Sequence, residues 1–283
     1  MAANWDQGSS YVGVDLAAPK ILAGAFDAGG KLLGKVKFSA KVERGPQRLL
    51  ERVARVIREV VDECDLKPHD VRGIGVAVPG RVDAPAGMVR FAPLLGWENF
   101  PLKAELEQRL QAPVVLENEC NAAAWGVYQR ELKAQPKSLV AVFLDRPGVM
   151  ARVVDGQFEP EFPEYLRAAF PALQTDPREP VSQNLPKRLR KAIQNGSEDA
   201  RRLVSKMARD AGSLVAQTIT VLKPEVLALD GGAIYELKEW LLAPILREIE
   251  RQAPELVQVQ VRVCHLGREA ALIGAALLAA RKT

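Results

Sequence analysis

Histidine and cysteine are scarce in this chain, and neither is grouped. The three cysteines, Cys64, Cys120 and Cys264, lie far apart among 283 residues, without the short paired spacing of a zinc site or a secreted disulfide framework. They read as reduced thiols. The two histidines, His69 and His265, fall on a predicted surface loop and at a strand end. A metal site needs converging ligands, so both read as structural and no metal site is expected. A secretory signal is also missing, because the first ten residues are mostly small and polar and hold no apolar core. The longest apolar run, Ala270 to Ala280, is too short for a bilayer and is broken by Gly274. The expectation is a soluble, cytoplasmic protein that does not use a membrane, with residues 1–10 as a loose tail.

What is present is ordinary for a globular protein. With 48% hydrophobic and 26% charged residues, the chain can bury a full core, which argues against disorder. Its length suits one large domain or two of usual size. The net charge of +4 is compatible with an anionic small substrate, with nucleic acid or with neither.

The first half opens on a predicted antiparallel meander: strands at Tyr11–Leu16, Ile21–Phe26 and Lys31–Phe38, the last two joined by the turn Asp27-Ala28-Gly29-Gly30. Leu49, Leu50, Val53, Val56, Ile57, Val60, Val61 and Cys64 then recur at helical spacing behind Pro46. A strand over Val71–Val78 stops at Pro79-Gly80. A loop-rich stretch, a short helix near Lys103–Leu110, a strand at Pro113–Glu117 and a helix from Asn118 follow. The second half repeats the opening, with strands at Ser138–Leu144 and Val149–Val154 and the turn Asp155-Gly156. Laying Val12–Ile21 over Val140–Val149 pairs Leu16 with Leu144 and Pro19 with Pro147. After a basic, proline-punctuated segment come a long helix over Ser197–Leu222, a strand at Glu225–Leu229, a helix over Leu237–Arg251, a strand at Val257–Val263 and a helix from Glu269. This order predicts a duplicated α/β unit with mixed sheets and a cleft between the halves. The expected domains are residues 11–117, completed by the C-terminal helix at 268–283, and residues 118–267.

Four stretches carry a resemblance. They are Val12-Gly13-Val14-Asp15-Leu16 with Lys20; Gly75 to Asp83, through Pro79-Gly80; Val115 to Ala124, with Glu117-Asn118-Glu119-Cys120-Asn121; and Leu222 to Gly232, ending Asp230-Gly231-Gly232. Together they resemble the ROK family of repressors, open reading frames and sugar kinases. The resemblance implies an actin-like ATPase (ribonuclease H-like) fold whose halves close around ATP and a hexose or related sugar, and it implies a homo-oligomer. Kinases of that family need a carboxylate near the sugar hydroxyl, magnesium, and backbone amides around the phosphates.

Carried over by that resemblance, Glu119 stands where the family has its catalytic Asp. Pro79, Gly80, Trp97 and Asn118 fall on the sugar side, and Asp15, Lys20, Gly148, Gly231 and Gly232 on the nucleotide side. Several positions depart from the family pattern. Glutamate at 119 moves the carboxylate by roughly 1 Å. The first phosphate loop reads Ala17-Ala18-Pro19-Lys20 in place of two glycines and a threonine, which adds Cβ atoms and removes an N–H where the backbone must approach phosphate. The second reads Asp145-Arg146-Pro147-Gly148, and Asp145 sets a negative charge beside a polyanion. Leu94 replaces an Asn in the loop before Trp97. The family's His-Glu-x-Gly-His segment and its zinc-binding cysteines are absent between residues 157 and 187, so no zinc is expected.

These departures point to a sugar-kinase-like protein with lost or strongly reduced activity and a sugar-sensing or scaffold role, taking ATP and magnesium only if active. The alternatives are an active ATP-dependent hexose kinase and a transcriptional regulator without its own DNA-binding domain. Nucleic acid is not an expected partner, since only about ten residues precede the first strand. The cluster Lys187, Arg188, Arg190, Lys191, Arg201, Arg202, Lys206 and Arg209 is interleaved with Glu198 and Asp199, as on a solvated helix face.

Overall fold

The computed structural model describes residues 9–17, 19–144, 149–158, 185–254 and 258–282. Two compact units emerge, one from the residues up to Ala134 together with those from Glu269 onward, the other from Gln135–Arg268.

The first unit begins with β1 (Ser10–Asp15), β2 (Lys20–Phe26) and β3 (Leu32–Ser39), the predicted meander. Asp27 closes the β2–β3 turn by accepting bonds from the N–H groups of Gly29 (2.8 Å) and Lys31 (2.9 Å), the local capture that makes Asp a turn residue. Helix α1 (Pro46–Glu63) starts on a proline, where a missing N–H costs nothing. It buries Leu49, Leu50, Val53, Ala54, Val56, Ile57, Val60 and Val61. Strand β4 (Val71–Val78) leads into β5 (Arg81–Asp83), β6 (Met88–Ala92) and β7 (Trp97–Phe100), then α2 (Leu102–Leu110), β8 (Val114–Asn118) and α3 (Glu119–Gly126). The main sheet runs β3-β2-β1-β4-β8, with β4 and β8 parallel to β1.

Strands β5, β6 and β7 form a separate antiparallel sheet in the stretch expected to be loop. They are too short and too interrupted by proline and glycine for an alternating pattern to show. An ion pair across the β5–β6 hairpin, Asp83 to Arg90 at 2.5 Å, helps to close it. The Arg90 side chain and the Ala86 N–H hold the Asp83 carboxyl below the usual carboxylate range. A depressed pKa contributes stability above the unfolded value of about 3.9 and loses it as pH falls through the lower folded value. The stability gap between wild type and Asp83→Asn is therefore expected to be constant above about pH 5 and to shrink below about pH 4, as read by urea unfolding at stepped pH.

The second unit repeats the first. Strands β9 (Ser138–Phe143), β10 (Val149–Val154) and β11 (Gln157–Phe158) are antiparallel, and β12 (Val226–Asp230) and β13 (Gln260–Val263) run parallel to β9, in the order β11-β10-β9-β12-β13. The register repeats as well. Val12 lies opposite Ile74 and Val140 opposite Leu227, while Leu16 N–H donates to Ala77 (3.0 Å) and Leu144 N–H to Asp230 (2.9 Å). Helix α4 (Leu185–Gln194), not expected from the sequence, carries Pro186 in its first turn and buries Leu189 and Ile193. Helix α5 (Glu198–Leu222) is capped by Ser197, whose hydroxyl accepts from the Ala200 N–H. Its basic face is largely paired within the helix, Arg202 with Asp199 and Lys206 with Asp210, each at 2.6 Å. Helix α6 (Gly232–Gln252) starts at the glycine turn, ahead of the predicted Leu237, where it bends (φ −123°, ψ 17°).

Helix α7 (Ala270–Lys282) returns to the first unit. It lies so close to β1, β4 and α3 that a Cβ on Gly75 would collide with the Ala275 carbonyl, and one on Gly274 with the Ala122 carbonyl. This packing draws α3 into the first unit, whereas the sequence reading places residues from 118 onward in the second. No helix of the described residues is long and apolar enough to cross a membrane.

Candidate functional site

In open α/β sheets, ligands bind outside the carboxyl ends of the parallel strands. In the first unit β1, β4 and β8 end at one edge. The register sets Asp15 opposite Ala77, Ala77 opposite Glu117, and Val78 opposite Asn118. That edge brings together Asp15, Pro79-Gly80 and Asn118-Glu119, and β2 opens there with the exposed Lys20.

Asn118 is the junction of this edge. Its side-chain oxygen caps α3 by accepting from the N–H groups of Cys120 (2.9 Å) and Asn121 (3.3 Å), and its amide donates to the Gly80 carbonyl at 2.7 Å. Gly80 holds φ of 100°, and a Cβ there would strike the Phe91 carbonyl, so the turn that Asn118 grips requires glycine. Both ends of the Asn118 side chain are thus used within the protein. Loss of the cap costs about 1–2 kcal/mol. Asn118→Ala is expected to lower the melting temperature by several degrees, measured by calorimetry, with Asn118→Asp recovering much of the cap.

Glu119 is the first residue of α3 and only 7% exposed. A carboxylate in the first turn of a helix is electrostatically favoured. Beside it, Glu117 accepts from its neighbour's N–H (2.9 Å) and from the Asn121 side-chain amide (3.0 Å). This clamp holds the strand end against the first turn of α3. Neither Glu117 nor Asn121 is a candidate by sequence, because their pairing across the strand–helix junction has no local pattern to reveal it.

Two amides of the β1–β2 turn are spent within the protein. Leu16 N–H donates to Ala77, Lys20 N–H to Ala17 at 2.7 Å, and Pro19 has no N–H, its carbonyl accepting from Ala40 at 2.7 Å. Ala18 lies outside the described residues. The Leu16 and Lys20 bonds take two backbone donors away from any phosphate, whose binding at a loop needs free N–H groups.

Trp97, one of the sugar-side candidates, belongs to the core. It is 1% exposed, stacks on Phe100 with ring centres 5.1 Å apart, and donates its indole N–H to Pro46 at 3.3 Å. Its faces are covered by protein, so it anchors the β7 loop and does not offer a ring to a sugar.

In the second unit, β9 and β12 end together, with Asp230 opposite Phe143. The Asp230 carboxylate accepts from the Gly231 N–H (2.5 Å) and from the Tyr235 hydroxyl. Gly231 holds φ of 101° and Gly232 starts α6. Gly148 and its loop lie outside the described residues, as do residues 159–184, where the family's zinc segment would fall. Among the described residues no group of three or more His, Cys, Asp or Glu side chains could hold a metal ion.

The glucokinase of Streptomyces coelicolor is 34% identical over 118 residues, which is 42% of this chain and 35% of the relative. The xylose repressor of Caldicellulosiruptor bescii is 32% identical over 123 residues, 44% of this chain and 31% of the relative. The matched stretch therefore spans about a third of these curated relatives. The solved structure of a ROK hexokinase from Thermus thermophilus superposes with a TM-score of 0.74 at 27% identity, covering 95% of this chain and 97% of that one. Its likeness extends over both units, with the actin-like ATPase fold of such kinases. The ROK family model matches residues 11–157 and 167–282, and on that match, with the duplicated sheets and the residues gathered at their edges, the chain belongs to the ROK family.

Proposed function

We propose that this sugar-kinase-like protein holds a hexose or related sugar at the carboxyl edge of its first unit and has lost, or strongly reduced, phosphoryl transfer. The observation that carries the reading is the β1–β2 turn, where the Leu16 and Lys20 amides are already bonded and Pro19 has none. In this reading Glu119 is the remnant of the catalytic base, and Asp15 and Lys20 are remnants of the nucleotide side, together with Gly148, Gly231 and Gly232. Pro79, Gly80 and Asn118 shape the sugar side, the last by holding the Gly80 turn. A sugar-sensing or scaffold role in the cytoplasm as a homo-oligomer completes the proposal.

Separate calorimetric titrations with magnesium-ATP and with a panel of hexoses test it. Hexose binding without tight ATP binding is the expected result, and tight ATP binding with no hexose response would overturn it. Light scattering reports the oligomer. An active hexose kinase is the second reading, favoured by the retention of Asp15, Lys20, Asn118 and a carboxylate at Glu119 on one sheet edge. A coupled kinase assay across the same sugars separates the two.

A further inference from the structure

We infer that the second unit carries an anion site built by Lys187, Arg190 and Arg268 around Glu236, and that it takes a phosphate-class group. The three cations come from separate elements: Lys187 and Arg190 from α4, and Arg268 from the segment after β13. Their charged groups stand 4.0, 3.4 and 3.5 Å from the Glu236 carboxylate, which lies on α6 with its side chain only 14% exposed. Other pairs on α5 and α6 join neighbours on one helix, as Arg202 with Asp199 and Arg251 with Glu248 do. Here three cations converge on one acid.

Among the described residues, these ion pairs set three cations against one carboxylate, an excess of two positive charges. Its distances also exceed the 2.7–2.9 Å of a saturated charge-assisted bond. Each guanidinium has five N–H donors and the ammonium has three, so donors remain for a second partner. A phosphate group offers oxygens on several sides and suits such a set better than a planar carboxylate does. Glu236 then has a definite task. It holds mutually repelling cations together in the free protein and withdraws some of their attraction from a ligand. The cations remain about half exposed, at 54%, 47% and 58% of their side chains, so an anion can reach them. Glu236 sits four residues beyond Gly232 on the same helix, one turn from the Asp230-Gly231-Gly232 corner. The site requires neither a sugar nor the β1–β2 turn, and so goes beyond the sugar-kinase-like reading.

Titration of the full-length protein with inorganic pyrophosphate in 0.1 M salt, without sugar or ATP, is the test. Binding with a Kd of about 1 mM or tighter is expected. Arg190→Gln should weaken it about tenfold, the loss of one charge-assisted bond. Glu236→Gln should tighten it severalfold by removing a repelling charge, whereas Arg202→Gln on α5 should leave it unchanged. The Glu236 variant decides most, since a purely structural ion-pair network predicts lower thermal stability and no gain in affinity. Should that variant melt too early to titrate, Lys187→Gln combined with Arg190→Gln must abolish binding. Parallel titrations with adenosine 3′,5′-bisphosphate and adenosine distinguish a nucleotide-borne phosphate from a free one. Absence of pyrophosphate binding, or affinity indifferent to Arg190 and Glu236, means that the cluster only pins α4 to α6.

Discussion

Glucose phosphorylation with magnesium-ATP is expected to run near background, at least about 1000-fold below a typical enzyme turnover of about 10 per second. Two effects act on the same transition state. The Leu16 and Lys20 amides are internally bonded and Pro19 has none, and each hydrogen bond that the turn thereby fails to give a phosphate is worth roughly 1–3 kcal/mol. A carboxylate displaced by about 1 Å costs on the order of 100-fold. These penalties need not add, because the groups around a phosphate act as a unit. Glu119→Asp alone is therefore expected to leave the rate near background. Joining it to Ala17→Gly, Ala18→Gly and Pro19→Thr should raise the rate by about 100-fold or more. A coupled assay measures all three proteins. Turnover near 10 per second by the unaltered chain would falsify the reduced-activity reading, and the same rate from Glu119→Asp alone would show that the β1–β2 turn handles phosphate through other groups.

The largest stability loss is expected from Gly75→Ala. A Cβ at this position meets the backbone carbonyl of Ala275 on α7, not the flexible end of a side chain, so relief requires moving a helix away from a sheet. Overpacking of this kind costs about 3 kcal/mol or more, which lowers the melting temperature of the first unit by about 10 °C. Gly274→Ala, which drives a Cβ into the Ala122 carbonyl on α3, should act similarly. Calorimetry with limited proteolysis checks both: cleavage is expected to appear first in the first unit, and a melting temperature within about 2 °C of wild type would refute the close packing of α7.

Much of the fold was legible because its signals are local. The face of α1 repeats within a few residues, and Ser197 caps α5 from the adjacent position. The meander is set by short turns such as the one that Asp27 closes. The duplicated order of strands follows from these elements in sequence, and the pairing of Leu16 with Leu144 reappears as two equivalent hydrogen bonds, to Ala77 and to Asp230. Strands β5, β6 and β7 and helix α4 escaped because their stability comes from cross-strand pairs and packing, while proline and glycine hide their periodicity.

By itself, the sequence determined the alternation of strands and helices, the family motifs at the strand ends, and the identities of the residues that depart from the family pattern. Tertiary structure alone decided what the candidate residues are free to do. Trp97 is withdrawn into the core by Phe100 and Pro46, Asn118 is tied to Gly80, and the Leu16 amide is bonded to Ala77. The physical reason is that side-chain chemistry belongs to each residue, whereas burial and hydrogen-bond commitment depend on partners that approach only when distant strands pair and helices dock on them.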